Sequence, residues 1–276
     1  MLDDPVMRSK TLGYLRNCAR LGTLVLGACL PVATATVPWS ARAGPPFMTD
    51  DPEPVEYQHW EIIGFGMGTM TQGDSTGVFP AMEINYGAVP NVQLHMSAPI
   101  AYNSQSVSGT QFGYGDTSFG VKYRFINPGE HDWWPQIAIY PAISLRTGNP
   151  ARGLGSGATH AFLPLWIQKD FGAWTTYGGG GYGINPGPGN KNYWFVGWQL
   201  QRQVTEHLVL GGELFHQTAT TTGLPGIGSK DTTGFNLGGT YDLTEHFHVL
   251  FSAGRGIQNA SMTNQFSYYL GIQATF

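Results

Sequence analysis

The chain is poor in charge and has no long apolar runs beyond its first residues. Charged residues are 12% of the 276 positions, against roughly 25% in ordinary soluble domains. The mean hydropathy is -0.15, so the apolar residues are not gathered into membrane-spanning helices. Beyond the first residues, no stretch repeats apolar residues with the 3.6-residue period of an amphipathic helix. These absences argue against a helical protein.

The first 43 residues have the pattern of a secretory signal peptide. An apolar stretch at 21–37 is followed by the small residues Ala41 and Ala43, which place a cleavage site before Gly44. An anchor helix is disfavoured because the stretch is short and contains Pro31. The basic residues ahead of it are Arg8, Lys10, Arg16 and Arg20.

Cysteine is nearly absent, and both cysteines fall in this segment. Cleavage after Ala43 leaves a mature chain without disulfides, whereas the sequence LGAC ending at Cys29 leaves lipidation there as an alternative. The segment holds five of the 14 basic and two of the 18 acidic residues, so the mature chain has an excess of seven acidic residues. Such a balance does not predict nucleic-acid binding.

An acidic, proline-rich stretch, GPPFMTDDPEPVEYQ at 44–58, comes next. It predicts a periplasmic tail, either extended or plugging the interior of the structure that follows. Its carboxylates could bind a divalent ion only if the tail folded back on itself.

From residue 59 to 276 the dominant pattern is a two-residue alternation in segments of about 10 to 13 residues. The chain also contains 39 glycines and 13% aromatic residues. In the last segment, Phe266, Leu270 and Ile272 fall on one face, and Ser267 and Gln273 fall on the other. Twelve such segments can be counted.

The predicted connections alternate between long and short, which is the layout of outer-membrane barrels. The long ones are placed at 72–79, 103–113, 147–158, 185–192, 217–231 and 256–264, and the short ones at 90–91, 127–133, 169–173, 205–207 and 244–246. The sequence therefore predicts an all-β protein, a transmembrane antiparallel up-and-down β-barrel of about twelve strands in the bacterial outer membrane.

A soluble β-sandwich also alternates, but two features disfavour it. Aromatic residues gather near strand ends, as at the two interfaces of a bilayer. Three prolines, Pro99, Pro141 and Pro164, fall in mid-strand, which is awkward in a tight sandwich core. In a barrel the last strand must pair with the first. The last strand here ends in an aromatic residue, Phe276, and this ending resembles the C-terminal signal that the barrel assembly machinery recognises. Outer-membrane lipid is the other expected partner.

Four stretches carry a resemblance to one family. They are PFMTDDPEP at 46–54, GYGDTSFGVKYRF at 113–125, RTGNPARGLGSG at 146–157 and LFSAGRGI at 250–257. Together they resemble the bacterial outer-membrane proteins grouped under the meta-pathway of phenol degradation, often called transporters. The resemblance implies an outer-membrane barrel that passes small hydrophobic or aromatic solutes, and it transfers no binding residues.

The polar faces of the strands supply the candidate lumen-lining residues. A charge on the lipid face would cost about 2–4 kcal/mol at the bilayer midplane, so charged side chains should face inward. They could form a structural salt-bridge lattice or a constriction that selects solutes. The candidates are Glu83, His95, Asp116, Lys122, Arg124, Tyr140, Arg146, Gln199, Gln201, Glu213, Asp242 and Tyr269.

No motif predicts a catalytic residue, a cofactor or a metal. Ser75 in GDSTG at 73–77 is placed in a polar loop, without the strand and helix of a nucleophile elbow. GLPGIGSK at 223–230 reverses the Lys-Ser order of a phosphate loop. His246 and His248 share a strand face but have no third ligand at set spacing.

The predicted function is passive or facilitated passage of small, hydrophobic or aromatic, compounds. One alternative is a lipid-modifying enzyme, for which Ser97 or Ser144 would have to act with His95. The other is a structural or adhesion barrel without transport.

Overall fold

The computed structural model describes residues 45–106, 109–128, 133–222 and 227–276. The predicted signal peptide and its two cysteines lie outside these ranges. Within them, no helix has the length and apolar character needed to cross a membrane.

Antiparallel β-structure dominates the described residues. The strand segments are β1 (Trp60–Met70), β2 (Asp74–Val89), β3 (Val92–Gln105), β4 (Gly109–Tyr114), β5 (Thr117–Ile126), β6 (Gln136–Ile139), β7 (Ala142–Leu145), β8 (His160–Phe171), β9 (Trp174–Ile184), β10 (Tyr193–Thr205), β11 (Leu208–Gln217), β12 (Thr232–Asp242), β13 (Phe247–Gln258) and β14 (Phe266–Thr275). A 3-10 turn at Pro150–Arg152 and a short helix, α1 (Ala260–Thr263), complete the regular elements.

The segments close into a barrel of twelve strands. Both β4 and β5 pair with β3, and both β6 and β7 pair with β5 and β8, so each couple forms one interrupted barrel strand. The ring closes where β1 pairs with β14, from Glu61 opposite Thr275 to Met70 opposite Phe266. This confirms the predicted fold and the pairing of the last strand with the first.

Both interruptions preserve the hydrogen-bond ladder around proline, which has no N–H to donate. The break between β6 and β7 falls at Tyr140 and Pro141. Tyr140 N donates to Pro164 O at 3.2 Å, and Val121 N donates to Pro141 O at 3.1 Å. The mid-strand prolines therefore accept backbone hydrogen bonds from neighbouring strands.

One face of the sheet is apolar and the other is polar. The apolar face is on the outside, which is the reverse of a soluble protein. In β10, Trp194 is 61% exposed and Val196 is 54% exposed on the outside, whereas Gln199 is 0% exposed on the inside. Large apolar side chains are exposed on the other strands as well, and many of the buried side chains are polar. An apolar band outside and a polar interior are the pattern of barrels that cross a membrane.

Two predicted long connections, 72–79 and 103–113, are wrong. β1 ends at Met70 and β2 begins at Asp74, while β3 ends at Gln105 and β4 begins at Gly109. The polar residues in these two ranges are predicted as loops, but most of them pair with neighbouring strands and lengthen β2, β3 and β4. Ser75 therefore lies in β2, where it pairs with Ser104 of β3, rather than in a loop.

The predicted short connection at 127–133 lies partly outside the described residues, and the other connections follow the predicted alternation. Long ones join β7 to β8, β9 to β10, β11 to β12 and β13 to β14, all at one rim, which we call the long-loop rim. The opposite rim, the short-turn rim, carries the turns at 90–91, 172–173, 206–207 and 243–246. Trp60 and Phe276 exchange backbone hydrogen bonds of 3.0 Å at the short-turn rim, where the barrel begins and ends.

The outward apolar band makes a depth-dependent prediction. Leu237, at the middle of β12, is 62% exposed, and Leu243, just beyond its end, is 55% exposed. Leu237→Arg should lower the free energy of unfolding in lipid vesicles by about 2–4 kcal/mol, and Leu243→Arg by about 0–1 kcal/mol. Urea unfolding followed by tryptophan fluorescence measures both. Equal losses would show that the outer face does not meet a graded hydrocarbon layer.

The barrel lumen as candidate functional site

The segment 45–58 lies inside the barrel, because its partners come from strands all around the ring. Thr49 donates to Glu213 Oε2 of β11 twice, from its backbone N at 2.8 Å and from Oγ1 at 2.7 Å. Ser252 Oγ of β13 donates to Pro46 O at 2.6 Å. We call this segment the inner tail.

The opposite wall holds the inner tail through a buried cation. Lys122 Nζ of β5 lies 3.0 Å from Asp50 Oδ1 and 3.5 Å from Asp51 Oδ1, and it also donates to Glu53 O at 3.3 Å. A buried lysine is costly unless it is paired and hydrogen-bonded. The inner tail supplies this pairing.

Glu53 binds the wall through two amides. Its Oε1 accepts hydrogen bonds from Gln136 Nε2 at 2.7 Å and from Gln168 Nε2 at 2.9 Å. Burial raises the pKa of Glu53 to about 7, although the hydrogen bond from Gln136 lowers it. Burial likewise raises the pKa of Asp51 well above its ordinary value, against the lowering effect of Lys122.

Two glycines let the inner tail approach the wall closely. A Cβ at Gly197 of β10 would collide with Thr49 Oγ1, and one at Gly87 of β2 would collide with the backbone oxygen of Glu56. The inner tail is therefore packed directly against the barrel backbone at two points.

A cluster of carboxylates and amides lies near the short-turn rim. Asn85 Nδ2 donates to Glu61 Oε1 at 2.9 Å and to Glu83 Oε1 at 2.8 Å, so one amide bridges two carboxylates. Gln273 Nε2 donates to Glu61 Oε2. His95 Nδ1 lies 2.9 Å from Asn85 Oδ1 and 3.4 Å from Glu83 Oε1.

The structure brings several of the predicted lumen residues together here. The Tyr140 ring centroid lies 5.1 Å from Lys122 Nζ and 5.7 Å from that of His95, with the two rings edge to face. Glu83, His95, Lys122 and Tyr140 therefore form one group.

The other predicted residues that face the interior are distributed around this group. Arg124 Nη1 donates to Gln136 Oε1 at 2.6 Å. Gln199 Nε2 donates to Gln201 Oε1 at 3.3 Å. Tyr269 is buried in a small apolar cluster with Ile63 and Leu250, and Glu213 receives the inner tail.

Three predicted lumen residues lie apart. Asp116, between β4 and β5, accepts from Gly148 N at 2.9 Å and so fixes the loop that follows β7. Asp242 Oδ1 lies 2.5 Å from His248 Nδ1 near the short-turn rim. Arg146 follows β7 directly and is exposed.

Sequence reasoning missed an inward-facing aromatic cluster. Trp166, Phe195 and Phe215 are buried together, and Phe162 and Tyr193 pack against them. Ring centroids lie 6.3 Å apart for Trp166 and Phe195 and 6.4 Å apart for Phe195 and Phe215. We call these five residues the aromatic cluster. The alternation in β10 could have predicted that Phe195 faces inward, because it lies between the outward Trp194 and Val196.

A cavity in the lumen lies at the short-turn rim, with a volume of about 370 Å³. Tyr140 lines it and also packs against the aromatic cluster, so the two features meet at this ring. The lining residues are Pro45, Asp50, Glu53, Pro54, Val55, Glu56, His59, Trp60, Glu61, Glu83, Asn85, Gln93, Lys122, Tyr140, His246, Thr275 and Phe276.

The histidine that would act with Ser97 or Ser144 in an enzyme contacts an amide and a carboxylate. His95 contacts Asn85 and Glu83, as described above. At the long-loop rim, Ser156 Oγ donates to Asp116 Oδ2 at 2.8 Å and lies 3.2 Å from His160 Nδ1. A nucleophile relay places the histidine between the serine and the acid, whereas here the serine lies in the middle.

Residues 65–271 match the family described as the putative MetA-pathway of phenol degradation. The chain belongs to this family. No curated protein is significantly similar to it in sequence.

Solved structures share the fold. An outer membrane channel from Pseudomonas putida is 15% identical with a TM-score of 0.66, and the match covers 82% of this chain and 98% of that one. The NanC porin is 8% identical with a TM-score of 0.55, covering 77% and 98%. The KdgM porin is 11% identical with a TM-score of 0.51, covering 78% and 99%. At these identities the likeness concerns the fold, which is that of outer-membrane β-barrels.

Glu53 makes docking of the inner tail dependent on pH. Because the docked pKa of about 7 lies above the ordinary 4.5, docking is strongest below pH 4.5, where Glu53 is protonated in both states, and weakens as pH rises from about 4.5 to about 7. Hydrogen–deuterium exchange, corrected for intrinsic rates, should show protection of the Thr49 and Val55 amides falling by up to about tenfold per pH unit across this window and levelling off above pH 7.

Glu53→Gln should keep this protection at pH 8, since an amide mimics the neutral acid. Glu56→Gln, which changes an exposed carboxylate of the same segment, is the matched control and should behave as the unaltered protein. Equal pH dependence in all three proteins would contradict the assignment to Glu53.

Proposed function

We propose that this protein is an outer-membrane channel for the passage of small aromatic molecules. The aromatic cluster carries the proposal, because it places apolar ring faces inside a lumen that also carries many amides and charges. An aromatic solute can stack edge-to-face or offset on such rings, each contact contributing about 0.5–1.5 kcal/mol.

The cluster follows a line through the lumen. Tyr193 opens β10 next to the long-loop rim, and its ring is stacked on that of Phe162, with centroids 6.1 Å apart. Phe195 and Trp166 lie deeper, and Tyr140 follows at the cavity near the other rim. Trp166 Nε1 is buried with no described hydrogen-bond partner, so a solute hydroxyl could accept from it once the neighbouring rings move aside. A phenolic molecule fits this combination of ring faces and one donor.

The inner tail would control the width of the path. It lies against the walls on several sides, through Glu213, Lys122 and Gln136, and a solute must pass beside it or displace it. The porin and channel names of the similar structures agree with transport rather than with catalysis.

The aromatic cluster can be tested by current block in a planar bilayer. Phenol should interrupt the ionic current of single channels more often than cyclohexanol, which has a similar size but no ring face. Phe195→Ala with Phe215→Ala should abolish the difference. Val196→Ala with Leu214→Ala, which changes neighbouring outward residues, should preserve it.

Two results would contradict the proposed function. One is a correctly folded, membrane-inserted protein that never conducts. The other is equal block by phenol and cyclohexanol in the unaltered channel.

Lys122→Met tests the role of the inner tail. Methionine preserves the packing on Tyr140 but leaves Asp50 and Asp51 without their cation. Breaking a buried ion pair costs about 3–5 kcal/mol, so amide protection in residues 45–58 should fall by roughly 100-fold or more, and conductance should rise. Lys169→Met removes a charge from β8 near the same rim and should change neither. Unchanged protection in Lys122→Met would show that the tail is held by its other contacts.

A further inference from the structure

We infer that the cavity at the short-turn rim binds a small organic cation, with an arylalkyl amine in its ammonium form as the preferred class. The inference rests on the proposed function, since it names the solute that the lumen would hold at this end. Three features of the cavity lead to it: carboxylates that share a hydrogen-bond donor, an excess of negative charge, and an aromatic face.

Two carboxylates in the wall of the cavity share one donor. Glu61 and Glu83 both accept a hydrogen bond from the amide nitrogen of Asn85. Gln273, outside the lining, donates to the other oxygen of Glu61, and His95 Nδ1 lies 3.4 Å from Glu83 Oε1. Each carboxylate oxygen has two lone pairs and can accept further hydrogen bonds. Ionised carboxylates and amide oxygens only accept hydrogen bonds, whereas an ammonium group offers three N–H donors. A bound amine would supply donors to these oxygens.

The charge of the lining also favours a cation. Five acidic residues, Asp50, Glu53, Glu56, Glu61 and Glu83, line the cavity, and Glu53, with its pKa of about 7, is only partly ionised at neutral pH. Its lysine, Lys122, is already paired with Asp50 and Asp51. The two histidines of the lining, His59 and His246, can offset only part of this excess. A cation is therefore attracted, and an aromatic carboxylate of the same size is repelled.

The remaining lining suits an aromatic body. Tyr140 presents its ring, and Val55 and Pro54 present apolar surface. A volume of about 370 Å³ falls at the small end of ligand sites, which span about 300–1,000 Å³. Ring faces also attract ammonium groups directly. Aromatic surface beside carboxylates is the combination that recognises an arylalkyl ammonium ion.

Three matched probes test the site: benzylamine, benzyl alcohol and benzoate. Isothermal titration on the protein extracted from membranes in detergent should show benzylamine binding at least about tenfold more tightly than benzyl alcohol, because charge-assisted hydrogen bonds are the strong ones. Benzoate should show no binding. Equal affinities for all three probes, or a preference for benzoate, would overturn the inference.

Variants locate the binding. Glu61→Gln with Glu83→Gln should lower the affinity for benzylamine to that for benzyl alcohol, and Glu83→Gln alone should have an intermediate effect. Glu206→Gln removes a charge from an exposed turn at the same rim and should leave the affinity unchanged. Heat-modifiable electrophoretic mobility reports whether each variant is folded. Undiminished binding in the folded double variant would place the amine elsewhere.

The two proposals can fail separately. Phenol block without selective amine binding would overturn the cation site and leave the channel function standing. Selective amine binding by a protein that never conducts would retain the site and overturn the proposed function.

Discussion

The requirement that every backbone N–H and C=O inside a membrane be paired governs this molecule. β1 and β14 meet that requirement by pairing along their whole lengths, and the interrupted strands meet it by routing hydrogen bonds to Pro99, Pro141 and Pro164. Once the ring is closed, each strand has one face toward lipid and one toward the lumen. The outward apolar residues and the inward polar residues follow from this closure, because the alternation of side chains leaves no other arrangement.

Charged groups in the interior of the barrel are removed from water, which costs free energy unless they form ion pairs or hydrogen bonds. Lys122 and Glu213 find them on the inner tail, and Glu61 and Glu83 find them on Asn85. The interior is thus divided into a hydrogen-bonded region near the short-turn rim and an aromatic region nearer the long loops. Tyr140 belongs to both regions, and this division underlies the proposed passage of aromatic solutes.

The sequence predicted the barrel because the alternation is local and each strand repeats it. It misplaced the loops at 72–79 and 103–113, where polar residues such as Ser75 and Asn103 continue the sheet beyond the apolar band. Inward residues such as Lys122 and Glu83 could be identified, but their partners could not. The bond from Thr49 to Glu213 spans 164 positions, and no local pattern records such a contact. Phe195 could have been found from its position between two outward residues, had the inner face not been expected to be polar.

The contacts of the inner tail bear on the order in which parts of the chain fold. These contacts are with β3, β5, β6, β8, β11 and β13, which come from nearly the whole circuit of the barrel. The surface that receives the inner tail is therefore complete only when β13 has joined the sheet. Although these residues precede every described strand in the chain, they reach all of their partners only late in the assembly of the barrel.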